Sequence, residues 1–197
     1  MNDFKNSELL KMAPEDSCGC GPASPDGCAT EAGGEPAARK ALNIDLLVVD
    51  LSTCKRCVPT GEQLTSAVHL LTPAAEALGI ELRHREIVVQ TPEEAKKHAF
   101  LSSPTIRING RDIAQDIRES LCESCGDLTN NNTRVDCREW HYRGRVYSAA
   151  PLPLLVEAIM RAMLDIDLPP VVPAAIEELP ENLQRYFSDK RQAANCC

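Results

Sequence analysis

Aromatic side chains are scarce: three Phe, three Tyr and one Trp in 197 residues. Any core must therefore be built mainly from Leu, Ile, Val and Ala. An excess of basic charge is also missing. Lys and Arg total 21 against 29 Asp and Glu, for a net charge of -8, which argues against nucleic acid as the main partner, since phosphate recognition needs a basic surface. No stretch approaches the roughly 18 to 20 consecutive apolar residues of a membrane span, so no membrane partner is expected. Met1 to Met12 carries Asp3, Lys5, Glu8 and Lys11 and has no apolar signal-peptide core, so a cytoplasmic location is expected. No glycine-rich nucleotide loop accompanies the strands, so no organic cofactor is implied. There is no internal repeat.

Cysteine is the anomaly. Ten are present, at positions 18, 20, 28, 54, 57, 122, 125, 137, 196 and 197. In a chain read as cytoplasmic, thiols stay reduced, and closely spaced pairs are more often catalytic or metal-binding than structural staples. Core packing alone gives no reason for them to occur in pairs.

Residues 1–42 read as a flexible arm, because the stretch from 13 to 40 is rich in Pro, Gly, Ala, Ser and Glu and cannot bury enough apolar surface to order itself. The folded part is expected to span 43–165. Ile44 to Leu51 is a nearly continuous apolar run, the pattern of a strand buried on both faces. Cys54 and Cys57 follow at once. Leu64, Val68, Leu71, Ala75 and Leu78 recur at helical spacing, with Gly79 as the stop and Pro73 expected to kink or split the helix. Glu81 to Val89 reads as a second strand. Thr91-Pro92-Glu93-Glu94 has the residues of a helix start. Thr105 to Ile108 alternates as a strand and ends in the turn signal Asn109-Gly110. Residues 112–138 form an insertion with no clear periodicity. Trp140 to Tyr147 resumes as a strand with Gly144 in or beside a turn, and Leu152, Leu155, Val156, Ile159 and Met163 mark a final helix face. Residues 166–197 read as a proline-bearing linker, a short helix that docks weakly, and a Cys196-Cys197 tail.

The order strand, Cys-x-x-Cys, helix, strand, helix, proline, strand, strand, helix resembles the thioredoxin fold: an α/β domain with a central mixed sheet flanked by helices, here with a cysteine-containing insertion and flexible termini. The residues that carry the likeness are Asp50-Leu-Ser-Thr-Cys54-Lys-Arg-Cys57 and Ser102-Ser-Pro104-Thr105. More narrowly, the Thr-Cys-x-Arg-Cys, Ser-Ser-Pro-Thr-Ile-Arg-Ile-Asn-Gly and late-cysteine pattern is similar to a bacterial and archaeal thioredoxin-like family catalogued only as a domain of unknown function. The resemblance implies that Pro104 is a cis proline facing the dithiol, that backbone beside it at Ser103 pairs with substrate, that Cys54 is the exposed nucleophile and that Cys57 is the resolving thiol. A thiol at a helix start sees the positive end of the helix dipole, and Lys55 and Arg56 add charge beside it, which favours thiolate. Pro59 pulls the other way. It fits best in a first turn, so the helix could begin there, leaving the dithiol in a loop freer to grip a metal.

Cys122-x-x-Cys125 with Cys137-x-x-x-His141 has the ligand types and spacings of a Cys3His zinc site. A Cys122–Cys125 redox pair with Cys137 free, or inert thiols, fit the same residues. Cys196 and Cys197 are adjacent and make a poor disulfide but a serviceable chelate for Hg(II), As(III) or Cu(I). About 10 residues separate them from Phe187, an extended reach of about 33 to 36 Å, and Cys18-x-Cys20 could act from the other end. Two functions are therefore expected to compete: thiol–disulfide exchange through Cys54 and Cys57 on a protein or small-molecule disulfide, or cytoplasmic capture and transfer of a soft metal or metalloid taken from a metal–thiolate donor. The oligomeric state is not legible.

Overall fold

The computed structural model describes residues 40–114, 116–129 and 133–194, with side chains to Lys190. The proline-rich arm with Cys18, Cys20 and Cys28, and the Cys196-Cys197 tail, lie outside the described residues.

The first strand, β1 (Lys40–Val48), begins four residues earlier than its apolar run suggests. Leu42, Ile44, Leu46, Leu47 and Val48 are all buried, because β1 is an inner strand with structure on both faces. Helix α1 (Cys57–Ala77) follows and buries Cys57, Thr60, Gly61, Leu64, Ala67, Leu71 and Ala75 along one stripe. Pro73 neither splits nor ends it. Both Pro73 and His69, whose carbonyl loses its helical donor, are exposed, so the orphaned oxygen lies on a face open to solvent, where the lost bond costs least. Gly79, at φ +70°, closes the helix in the left-handed conformation that a side chain disfavours. The chain then enters β2 (Ile80–Val88), parallel to β1. Helix α2 (Pro92–Lys97) starts as its sequence announces: the Thr91 side chain accepts from the Glu94 N–H, and the Glu94 carboxylate accepts from the Gln90 N–H. This is a reciprocal capping arrangement.

Strand β3 (Thr105–Ile108) runs antiparallel to β1 and turns through Asn109 and Gly110 into β4 (Arg111–Asp112). Both turn residues have positive φ, 48° and 80°, as a two-residue type I′ hairpin requires. The resulting sheet has the order β2-β1-β3-β4. Helix α4 (Leu152–Leu164) lies against α1.

The insertion builds a second sheet. It contains β5 (Arg118–Leu121), the short helix α3 (Glu123–Gly126), β6 (Asp136–Tyr142) and β7 (Arg145–Tyr147), in the order β5-β6-β7. The strand expected over Trp140 to Tyr147, with Gly144 in or beside a turn, is a hairpin that turns at Arg143 and Gly144. Arg138 is wholly buried and grips Asp112 through two bonds of 2.8 and 2.9 Å, fastening the insertion to the main sheet.

The carboxy-terminal segment is not weakly docked. Val171 N–H bonds the Asn109 carbonyl and Ile176 N–H bonds that of Lys96. Helix α5 (Glu181–Ala194) buries Leu183, Tyr186 and Phe187 almost completely. Its Asn182 amide reaches Glu119 and the Asp136 carbonyl. Leu183 and Phe187 belong to the apolar spacing Ile176, Leu179, Leu183 and Phe187 that the sequence shows; Tyr186 does not, yet it is as deeply buried as Phe187 and adds aromatic area that holds this helix down. Among the described residues no helix is long and apolar enough to cross a membrane.

Candidate thiol centre

The loop between β1 and α1 is shaped by Asp50. Its carboxylate accepts from the backbone N–H groups of Ser52, Thr53 and Cys54 and from the hydroxyls of Ser52 and Thr53. Burial raises the Asp50 pKa, but these donors outweigh it and bring the carboxyl down to about 2. This side-chain-to-backbone turn sets Cys54 just ahead of the helix, whose first residue is Cys57. Pro59 therefore occupies the first turn, where its missing N–H costs little. The Cys57 N–H points back at Cys54 Sγ, 3.3 Å away. Cys57 Sγ lies 3.4 Å from the hydroxyl of Ser103, which also accepts from the Val49 N–H. The Ser103–Pro104 peptide bond is cis.

Cys54 is not exposed. Its exposure is 0%, as is that of Cys57, because the insertion sits over the dithiol. Cys54 Sγ is 3.7 Å from Cys125 Sγ, and Cys125 Sγ is 3.1 Å from Cys137 Sγ. The sulfurs of Cys54, Cys122 and Cys125 all lie within 4.8 Å of one another. Cys122 caps α3, Cys125 lies within it, and Cys137 sits on β6 opposite Ser120 of β5. Five free, buried thiols thus meet where α1, α3 and β6 converge.

His141 does not join them. It lies exposed on β6, with its Nε2 3.6 Å from Glu139. Four residues of extended chain carry it about 13 Å beyond Cys137, so a Cys-x3-His spacing that would close a knuckle in a turn cannot close one here. The structure brings Cys122, Cys125 and Cys137 together with Cys54 instead.

Two expected features take different roles. Lys55 is exposed, and its N–H donates to the Ser124 hydroxyl. The Arg56 guanidinium spans the gap to the second sheet. It donates to the carbonyls of Cys137 (3.0 Å), Arg138 (3.4 Å) and Leu121 (2.7 Å) and to the Ser120 hydroxyl (2.8 Å). It is a clamp between the dithiol loop and the insertion. The Arg138 N–H in turn donates to the Ser103 carbonyl at 2.8 Å, so the backbone position expected to pair with substrate is taken by the chain itself.

The thiols polarise one another. Contact with Cys122 raises the Cys54 thiol, but donation from Cys125, Cys57 and the Cys57 N–H brings it down to about 7. The Cys122 thiol is driven well below the ordinary range by donation from Cys125, Cys137 and Cys54. Beside these two lowered thiols the others are pushed up: Cys57 by Cys54, and Cys125 and Cys137 chiefly by Cys122. Tyr186 of α5 is also raised beyond the ordinary tyrosine range, by burial first and then by its electrostatic interactions with Cys125, Asp50, Cys57 and Cys54. Nothing in the sequence marks Tyr186 as a neighbour of these thiols, because it lies 61 or more residues from Cys125, Cys57 and Cys54.

A protein of Archaeoglobus fulgidus described as "Uncharacterized protein" is 35% identical over 95 residues, covering 46% of this chain and 68% of the archaeal one. No solved structure matches the chain. The model of the family described as "Domain of unknown function (DUF2703)" matches residues 42–159; that span runs from the central strand through the five buried cysteines into α4, and the chain belongs to this family.

Proposed function

We propose that this protein captures a soft metal or metalloid ion in a buried centre formed by Cys54, Cys122 and Cys125, on a thioredoxin-like frame. The order β1-α1-β2 followed by β3-β4-α4, with Pro104 ahead of β3, supports that frame. The observation that carries the function is the convergence of three sulfurs within 4.8 Å of one another from two distant segments. Thiolates are the ligands that select soft ions. A four-sulfur zinc site, with Zn–S about 2.3 Å, places neighbouring sulfurs about 3.8 Å apart. The Cys54–Cys125 separation of 3.7 Å suits that spacing, and Cys137 is the sulfur at hand to complete four. Charge favours a metalloid as well. Three thiolates around As(III) sum to zero, and a neutral product is what a buried site without its own cation tolerates best.

The thiols require a reducing compartment, so a cytoplasmic setting belongs to this proposal. Titration of the reduced full-length chain with As(III), Hg(II) and zinc should give one tightly held ion per chain, with sulfur-to-metal absorption. Cys125→Ser should abolish it. Failure of the wild type to bind any of the three ions would sink the reading.

A second reading, thiol–disulfide exchange by Cys54 and Cys57, is favoured by one observation: the Cys57 N–H points at Cys54 Sγ from 3.3 Å, a contact that helps lower the Cys54 thiol while the Cys57 thiol is pushed up. That is the division between a nucleophile and a resolving thiol. Reduction of insulin disulfides by wild type but not by Cys54→Ser would support it.

A further inference from the structure

The sulfurs differ in how they can be reached. Cys54, Cys57 and Cys125 have no exposed surface, and Cys137 has 1%. The dithiol loop is closed by the Arg56 clamp and by the bond from Lys55 N–H to Ser124. The Ser103 side is closed by Arg138. Tyr186 of α5, 1% exposed, is near enough to the cluster to interact electrostatically with Cys125, Cys57 and Cys54. Of the three converging ligands Cys122, 3% exposed against 0% for Cys54 and Cys125, lines an open surface pocket of about 400 Å³, formed on the insertion with Glu123, Asp127, Thr133 and Arg134 around it.

Resting on the capture reading above, we infer that Cys122 is the receiving thiol: the ion arrives through this pocket as a complex with a small thiol and passes inward to Cys125 and Cys54 by ligand exchange. The expected order of contact is thus the reverse of the one the Cys-x-x-Cys motif suggests. For a mercuric bis-thiolate the chemistry balances without any redox change. Cys122 thiolate forms a bond to mercury and one small thiolate leaves. Cys125 or Cys54 then forms the second bond, the other small thiolate leaves, and the proton lost from the protein thiol goes to the departing sulfur. The pocket has room for one small thiol arm while the ion is bound to both donor and acceptor. Its rim mixes Arg134 with Glu123 and Asp127, so it sets no strong preference for the charge of the carrier. Recognition rests on the sulfur-to-metal bond.

The test separates rate from affinity and spares every sulfur. Thr133→Trp fills the pocket, while the Thr133 N–H keeps its bond to the Thr129 hydroxyl. Thr65→Trp fills a different surface pocket, beside α1 and Leu51 on the dithiol side. The reduced full-length proteins are mixed with mercuric bis(mercaptoethanol), and the rise of sulfur-to-mercury absorption is followed by stopped flow, with equilibrium stoichiometry measured separately. Thr133→Trp should slow capture on the order of tenfold or more with stoichiometry unchanged, and Thr65→Trp should match wild type. Slowing by Thr65→Trp but not by Thr133→Trp, or equal rates in all three, would overturn the portal while leaving capture intact. Absence of binding in wild type would instead overturn the capture reading on which it rests. Circular dichroism and urea midpoints of both variants establish that any loss of rate occurs in folded protein.

Discussion

Arg56 is the residue whose removal speaks most directly to how the centre is held together. Its guanidinium makes three bonds of 2.7 to 3.0 Å and a longer one of 3.4 Å to the β5–β6 hairpin. Arg56→Met keeps the stem and deletes the donors. At a half-buried site each good bond is worth about 1 kcal/mol net. Docking of the insertion should therefore weaken by about 3 kcal/mol, or roughly a hundredfold in the open fraction. The Arg138 amide, bonded across the gap to Ser103, reports that opening, whereas the Cys122 amide, bonded within the insertion to Val135, does not. Hydrogen exchange should accelerate about a hundredfold at Arg138 and stay near wild type at Cys122. Saturating As(III) should restore protection at Arg138, because an ion held by Cys54, Cys122 and Cys125 bridges the same gap. Equal acceleration at both amides, or no restoration by As(III), would refute the reasoning.

Three further outcomes follow from neighbouring contacts. Asp112→Ala leaves the wholly buried Arg138 guanidinium without its carboxylate and should cost about 3–5 kcal/mol in urea denaturation; Asp112→Leu with Arg138→Met should recover most of it. Asp50 has a folded pKa of about 2 against an ordinary 3.8. Its contribution is therefore complete above the ordinary value and is lost as pH falls through the folded one. The stability gap between wild type and Asp50→Ala should be constant at higher pH and narrow between about pH 4 and pH 2; a gap that widens in that window would contradict the assigned turn. His141→Ala should leave zinc affinity unchanged in competition with a chromophoric chelator, and a large loss would return His141 to the ligand set.

The parts of the fold that were legible beforehand are those written by local chemistry. Thr91-Pro92-Glu93-Glu94 caps a helix because the hydroxyl and carboxylate reach N–H groups within four residues. Asn109-Gly110 turns the chain because both positions need positive φ. The apolar run at β1 is continuous because both of its faces are covered. Pro73 misled because the cost of an interior proline depends on whether the freed carbonyl is open to solvent, and His69 and Pro73 lie on an exposed face. The cysteines were legible as reactive types but not as one site, since Cys54 and Cys125 stand 71 residues apart and no periodicity encodes their meeting. His141 failed for the complementary reason: ligand spacing presumes a turn, whereas the segment from Cys137 is strand. The Arg56 clamp carried no signal at all, because an arginine beside a Cys-x-x-Cys is equally well placed to serve the thiolate or to bind carbonyls across a gap.

The buried geometry also bears on the cysteines at positions 196 and 197. A tail thiolate raises affinity when the ion has an unfilled coordination position and the arm's ordering cost, about 1–2 kcal/mol per residue fixed, is exceeded. In the present centre three sulfurs already converge and Cys137 stands 3.1 Å from one of them, while the frame that holds them is tied in advance by Arg56, Lys55 and Arg138. A preorganised set loses little entropy on binding, so a long arm has no advantage over sulfurs already in place. Deleting Cys196 and Cys197 should therefore leave equilibrium affinity for As(III) within about twofold of the full chain, and Cys125→Ser should lower it by several orders of magnitude. Both are measurable by competition with a dithiol such as dimercaptosuccinate. A tenfold or larger loss on deletion of the pair would mean that a tail sulfur displaces one of the buried ligands in the bound state, and the three-sulfur centre would have to be redrawn with the tail in it.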